Sequence, residues 1–169
     1  MTNANLLRGH PVSLHVLDYG LFKVHANGRV IGICGFLIRT SEDEDVLIDT
    51  GLPAKYAQNA AAATAEDGLG SVGEVLECGP DNLPRAQLAR AGVSPDQISL
   101  MIQTHTHIDH VGGLHVFPVV PFLLSVAVRG LEKPLYGGDV RPIDWPDGAD
   151  QLMTGDRWLG PGGQGVDVA

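Results

Sequence analysis

Between residues 105 and 110 the chain reads His-Thr-His-Ile-Asp-His, three imidazoles and a carboxylate within six positions. The segment follows directly on Ile98 to Gln103, an apolar run with the length and composition of a strand. That pairing constrains the chain more than any other feature. A strand end is a rigid platform, and the loop after it is free to aim side chains. His105 and His107 are two apart, so in extended backbone they point to the same side and can converge on one ion. Asp109 and His110 are adjacent, and in a turn they diverge from that pair toward a second ion. Imidazole nitrogen and carboxylate oxygen suit zinc, and also iron or manganese. A histidine-rich loop without function is the alternative, and the order of the four donors after an apolar strand argues against it. Gly112-Gly113 would let backbone crowd against such a site, and is equally compatible with an ordinary turn.

The rest of the chain supplies a framework for that strand. Val12 to Leu17 alternates in the manner of a half-buried strand, and Phe22 to His25 reads as a second short strand before the hairpin signal Asn27-Gly28. Val30 to Thr40 reads as a strand buried on both faces. Ser41 to Asp45 is an acidic turn, and Val46-Leu47-Ile48 a buried strand ending at Asp49-Thr50-Gly51. Pro53 to Ala65 is alanine-rich and predicts a helix with Pro53 in its first turn. Gly68 to Pro80 predicts loop with some local order. Asn82 predicts an N-cap, with a helix through Ala91 stopped by Gly92, and Ser94-Pro95 caps a single turn. A strand-like pattern returns at Val116, and Pro134 to Gly165 reads mainly as loop with short strands. A run of strands followed by strands alternating with helices predicts an α+β chain of α/β-type layers: a mixed sheet with helices on at least one face.

Composition narrows the function. With 169 residues the chain is long enough for one domain with a real core. It is 44% hydrophobic and only 18% charged, which argues against disorder. A formal net charge of −9 argues against nucleic acid and gives no help at anionic membranes. Cys34 and Cys78 form no metal or disulfide pattern, and Cys34, inside an apolar run, reads as a buried free thiol. The N-terminus lacks the pattern of a signal peptide. The apolar stretch from Val116 to Val128 is short and broken by Pro118 and Pro121, so it does not read as a membrane span. A soluble, cytoplasmic setting is the expectation.

The six-residue cluster followed by Gly112-Gly113 resembles the signature of the metallo-β-lactamase fold superfamily, and Leu47-Ile48-Asp49-Thr50-Gly51 is similar to a second element of it. The resemblance extends over nearly the whole chain. Within the superfamily the chain looks most like N-acyl homoserine lactonases, on Phe36-Leu37-Ile38, Gln103-Thr104-His105, Leu135 to Asp139 and Trp145-Pro146. It implies the N-terminal portion of an αββα sandwich. It assigns His105 and His107 to a first zinc ion and Asp109 and His110 to a second. Asp49 becomes either the carboxylate supporting a ligand imidazole or an Asx-type turn with Gly51. The implied activity is opening of a lactone ring by a metal-bound hydroxide, with Asp109 orienting the hydroxide or carrying a proton while it acts as ligand.

The donor count falls short of that expectation. A catalytic zinc commonly takes three protein ligands, and the motif supplies two per ion. The later ligands that the resemblance implies find no match; His115 is the last histidine, and His10, His15 and His25 precede the motif. His115 reads as a helix or loop residue and His15 as a strand-face residue. Gly155-Asp156 and Leu159 to Gly162 resemble the approach to a strand beginning at Val166, so the chain is expected to stop where the second half of the sandwich begins. Ala127-Val128-Arg129 departs from related lactonases, which often carry an acidic residue at its middle position. A first-half sheet alone would leave an apolar face open, which predicts self-association or a completing chain. The leading expectation is a lactonase-type hydrolase acting on a small lactone or ester, with activity of this length of chain in doubt for want of ligands. A thioesterase or β-lactamase-like hydrolase, and a metal-binding or interaction module without catalysis, are the other readings.

Overall fold

The chain opens with a hairpin whose first strand is twice the expected length. In the computed structural model, which describes residues 7–117 and 120–125 and the backbone of three short strands beyond them, β1 runs unbroken over Pro11–Val24. The two strands read from Val12 to Leu17 and Phe22 to His25 are therefore one. A register shift between Asp18 and Gly20 accounts for the interruption in the pattern. After a turn that includes Asn27-Gly28, β2 (Val30–Thr40) returns antiparallel, pairing Leu14 with Ile38 and Phe22 with Ile31. Strand β3 (Asp45–Ile48) adds to β2 antiparallel. Strand β4 (Gly73–Glu77) adds to the other side of β1. Next come β5 (Ile98–Ile102), parallel to β3, then β6 (Phe122–Ser125) and β7 (Asp150–Met153), each parallel to its predecessor. The order among the described residues is β4-β1-β2-β3-β5-β6-β7. Strands β8 (Arg157–Leu159) and β9 (Gly165–Asp167) pair separately.

The two faces of the sheet alternate residue by residue. Leu37, Leu47, Met101 and Leu124 point into the main core, shared with Tyr56 and Ala63 of helix α1 (Ala54–Glu66) and Leu88 of helix α2 (Pro84–Arg90). Their neighbours Ile38, Val46, Leu100 and Leu123 form a smaller cluster apart from it. On β1 that second side is open: Val12, Leu14 and Val16 are each more than half exposed. The reading of Val30 to Thr40 as buried on both faces is corrected accordingly. Ile33, Gly35 and Leu37 are buried, whereas Val30 and Gly32 are exposed.

Other expectations are corrected for local reasons. Part of the predicted loop from Gly68 to Pro80 is β4, whose order comes from pairing with β1 and not from its own pattern. Asn82 is not an N-cap. It is buried and ties the loop to β1, accepting from Gly79 N (2.8 Å) and donating to Asp18 O (3.3 Å), while the helix starts at Pro84. Pro53 precedes the first turn of α1, and the helix is broken at Asn59, whose Oδ1 accepts from Ala62 N as a cap would. Cys34 is a free thiol but only partly buried. His15 lies exposed on β1, and His115 in a short 3-10 turn at Leu114–Val116. Residues 127–129, 135–139, 145–146, 155–156 and 160–162 lie outside the described residues; Val166 lies in β9. Among the described residues no helix is long and apolar enough to cross a membrane.

Candidate metal centre

Because β3 and β5 are parallel neighbours, with Ile48 beside Ile102, their C-terminal ends emerge at the same edge. That places Asp49-Thr50-Gly51 against the segment from Gln103 to Gly113. In open α/β sheets this is the edge at which ligand sites form. The two loops are joined along their length. Asp49 N donates to Ile102 O (3.1 Å), Thr50 N to His110 O (2.7 Å) and Gly112 N to Gly51 O (2.9 Å). Thr50 Oγ1 donates to His110 O at 2.9 Å and accepts from Gly113 N at 3.1 Å. A side chain at Gly112 would place its Cβ 2.2 Å from Pro53 N, and one at Gly113 would come 2.5 Å from Thr50 O. The glycine pair is explained by this close approach and not by turn geometry, since both residues have negative φ.

Asp49 is the hub. It is buried and holds a left-handed backbone conformation (φ 60°), which Asp tolerates better than most residues. Its Oδ1 accepts from Gln103 Nε2 (2.7 Å) and Thr104 N (2.9 Å). Its Oδ2 accepts from Thr104 Oγ1 (2.6 Å) and lies 2.8 Å from His110 Nδ1. Beneath the loop, Tyr19 is fully buried, its ring packed where a Cβ on Gly51 would sit and its hydroxyl donating to Asp49 O (3.3 Å). Burial pushes the Tyr19 phenol well above its ordinary value, and the Asp49 charge adds to the effect.

These contacts determine which ring nitrogens carry the proton. A carboxylate only accepts, so the neutral His110 ring carries its proton on Nδ1 and leaves the Nε2 lone pair available. Thr104 has one hydroxyl hydrogen, and Asp49 takes it. At its 3.0 Å contact with His105 Nδ1 the hydroxyl therefore accepts, and His105 too keeps its lone pair on Nε2. Burial and the neighbouring His110 and His107 hold the His105 pKa below its ordinary value, offset in part by Asp49 and Asp109. Burial also pulls His110 down, but the Asp49 hydrogen bond and the charges of Asp109 and Asp49 outweigh it and leave that ring raised.

The His105 ring centroid is 4.7 Å from that of His107 and 3.9 Å from that of His110, and Asp109 Oδ2 is 3.5 Å from His110 Nε2. All four sequence-predicted donors thus gather in one place, Asp109 and His110 on the short helix α3 (Ile108–Val111) and the first two on the approach to it. Among the described residues no three His, Cys, Asp or Glu side chains already form a closed cage. The rings pack against one another. Their donor chemistry fits a divalent metal, with the lone pairs of His105 and His110 already assigned to Nε2. Gln103, Thr50 and Tyr19 were not singled out as site residues in the sequence. Gln103 had a signal, being an amide at the end of an apolar strand.

Beside the donors lies an apolar cavity of about 260 Å³. It is lined by Phe22, Val24 and Ile31 of the hairpin, by Leu52, Leu69 and Val72, and by His107, Ile108 and Asp109 of the donor segment.

The family model described as the metallo-beta-lactamase superfamily matches residues 35–167, which contain both loops of the centre. This chain belongs to the metallo-β-lactamase superfamily. Its mixed sheet with helices is the superfamily's α+β fold, and that fold implies binding of a divalent metal. An N-acyl homoserine lactonase of Bacillus cereus is 28% identical over 93 residues, 54% of this chain and 36% of that protein. Among solved structures, an N-acyl homoserine lactone hydrolase with N-hexanoyl-L-homoserine bound at its catalytic metal center matches 92% of this chain at 20% identity and a TM-score of 0.67. A subclass B3 metallo-β-lactamase from a soil metagenome library matches 90% of this chain at 16% identity and a TM-score of 0.51, over 49% of its own length. The chain spans 64% of the length of the lactone hydrolase structure.

Proposed function

We propose that the chain is a metal-dependent hydrolase that opens lactones or related esters carrying an apolar tail, of the N-acyl homoserine lactone type. The observation that carries this reading is the apolar cavity lined in part by His107 and Asp109. Such a cavity seats a hydrocarbon chain while leaving its polar end at the donor loop. The lactonase among its relatives and the product-bound hydrolase among its structural neighbours support the same substrate class. A β-lactam, which need not carry a long apolar tail, is a less natural occupant of such a lining.

In this reading His105 and His107 hold one zinc ion, and Asp109 and His110 a second; manganese or iron would serve the same donors. The metal, when bound, supplies Lewis acidity and a nucleophile at neutral pH. The protein's part is positional. Asp49 holds the His110 proton on Nδ1 and leaves Nε2 as the donor atom, Thr104 does so for His105, and Asp109 orients the attacking water or carries its proton beside the ester carbonyl. The hairpin and Leu69 shield the tail from water. The setting is cytoplasmic, and neither nucleic acid nor membrane is a partner.

The test is a proton-release assay with the purified chain, zinc or manganese, and N-acyl homoserine lactones of increasing tail length. Ring opening that improves with tail length until the cavity is filled is expected. A folded, metal-loaded chain that leaves these lactones intact refutes the hydrolase reading and favours a metal-binding module without catalysis.

A further inference from the structure

Gln103 is a buried amide directly after an apolar strand, where Leu100 and Met101 are buried apolar side chains. Its Nε2 lies 2.7 Å from Asp49 Oδ1, 2.9 Å from His105 O and 3.3 Å from His110 O. Two amide hydrogens are thus shared among three acceptors, and each acceptor belongs to the candidate centre. One is the carboxylate against the His110 ring, and the other two are the carbonyls at the first and last residues of the donor loop. The backbone N–H of Gln103 donates to Leu123 O on β6 (3.0 Å), so the same residue is fastened to the sheet behind. Its Oε1 is buried with no partner among the described residues.

The orphan acceptor is informative. An unpaired buried oxygen is unfavourable, and an apolar side chain of the same length would fill the space without it. Among the described residues, what the glutamine contributes over such a filler is its donor bonds to Asp49, His105 and His110. We propose that Gln103 is a positioning residue whose amide binds both ends of the His105–His110 loop and the Asp49 carboxylate into one unit, holding the donors in place before a metal arrives. The proposal rests on the metal-centre reading for what the loop holds, and not on any particular substrate.

Gln103→Met keeps the length of the side chain and removes its donors. The dissociation constant for zinc, measured on the folded 169-residue chain by competition with a chromophoric chelator, is expected to rise about 10–100-fold. The melting temperature of the metal-free variant should fall only modestly, because the lost donor bonds are offset in part by removal of the orphan acceptor. Gln103→Glu, which keeps the shape but sets an acceptor against Asp49, should weaken zinc at least as much. Unchanged zinc affinity in Gln103→Met overturns the proposal. So does an affinity loss that only tracks a fall in melting temperature, since a purely structural role would give that result. If neither variant folds, amide exchange in the metal-free parent decides. Thr50 and Thr104, whose N–H groups donate to His110 O and Asp49 Oδ1, should be protected without zinc. Fast exchange at both, within otherwise protected β3 and β5, overturns the proposal. Lactone turnover enters none of these measurements. A chain that binds zinc but leaves lactones intact refutes the hydrolase reading and leaves this inference standing.

Discussion

The two ends of the sheet divide the work differently. At the antiparallel end, β1 and β2 are 14 and 11 residues long and pair along nearly their whole length. They send Leu17, Tyr19 and Leu37 into the core, whereas Val12, Leu14 and Val16 stand open on the far face. At the parallel end β3 and β5 are only four and five residues long, yet each ends in a dense set of polar contacts. Asp49 and Gln103, 54 positions apart in sequence, meet there. Long ladders hold the sheet together, whereas short parallel strands bring distant loops to a common edge. Substitutions on the two sides should therefore fail in different ways.

The largest effect is expected at the parallel edge from His107→Ala, which removes a donor and should abolish tight zinc binding with little change in fold. Elemental analysis checks this, and equal zinc in variant and parent would show that the motif is not the metal site. Asp49→Asn comes next. It keeps the left-handed backbone but cannot accept from every present partner, and zinc affinity should drop about 10–100-fold, read by chelator competition. Unaltered affinity would separate the Asp49 network from the metal. Gly112→Ala should act on stability, because its Cβ meets Pro53 backbone. A loss of about 1–3 kcal/mol in urea unfolding is expected, and a neutral result would mean that the two loops are not as tightly joined as described. The smallest effect belongs to the antiparallel end. Leu14→Thr, on the open face, should change unfolding by no more than about 0.5 kcal/mol. It should also reduce any concentration-dependent association seen by light scattering. A large destabilisation would place Leu14 in a buried contact and remove the contrast between the two ends.

The parts of this design that were legible in the sequence are those with local signals. The donor order, the apolar strand before it, the Asn-Gly hairpin and the Gly92 helix stop all carry their information within a few residues. Strand β4 did not, since Gly73 to Glu77 owes its order to pairing with β1. Asn82 has the chemistry of an N-cap but spends it on Asp18 O and Gly79 N, a choice set by burial. The two readings of Asp49 could not be separated in sequence, because its partners lie on another strand. In the folded chain its carboxylate reaches Gln103, Thr104 and His110. The orphaned Gln103 Oε1 is likewise a property of packing that no local pattern encodes.

The left-handed backbone at Asp49 sets a rule for substitutions. The position demands two things at once: tolerance of positive φ, and a short carboxylate that reaches the next strand. Asn meets the first demand and half of the second, and Gly meets only the first. Glu, which keeps the charge and ranks as the mildest change on most similarity scales, meets neither, because its longer side chain overshoots Thr104 and does not favour the backbone. At this site the replacement that looks closest on paper is the one the geometry accepts least.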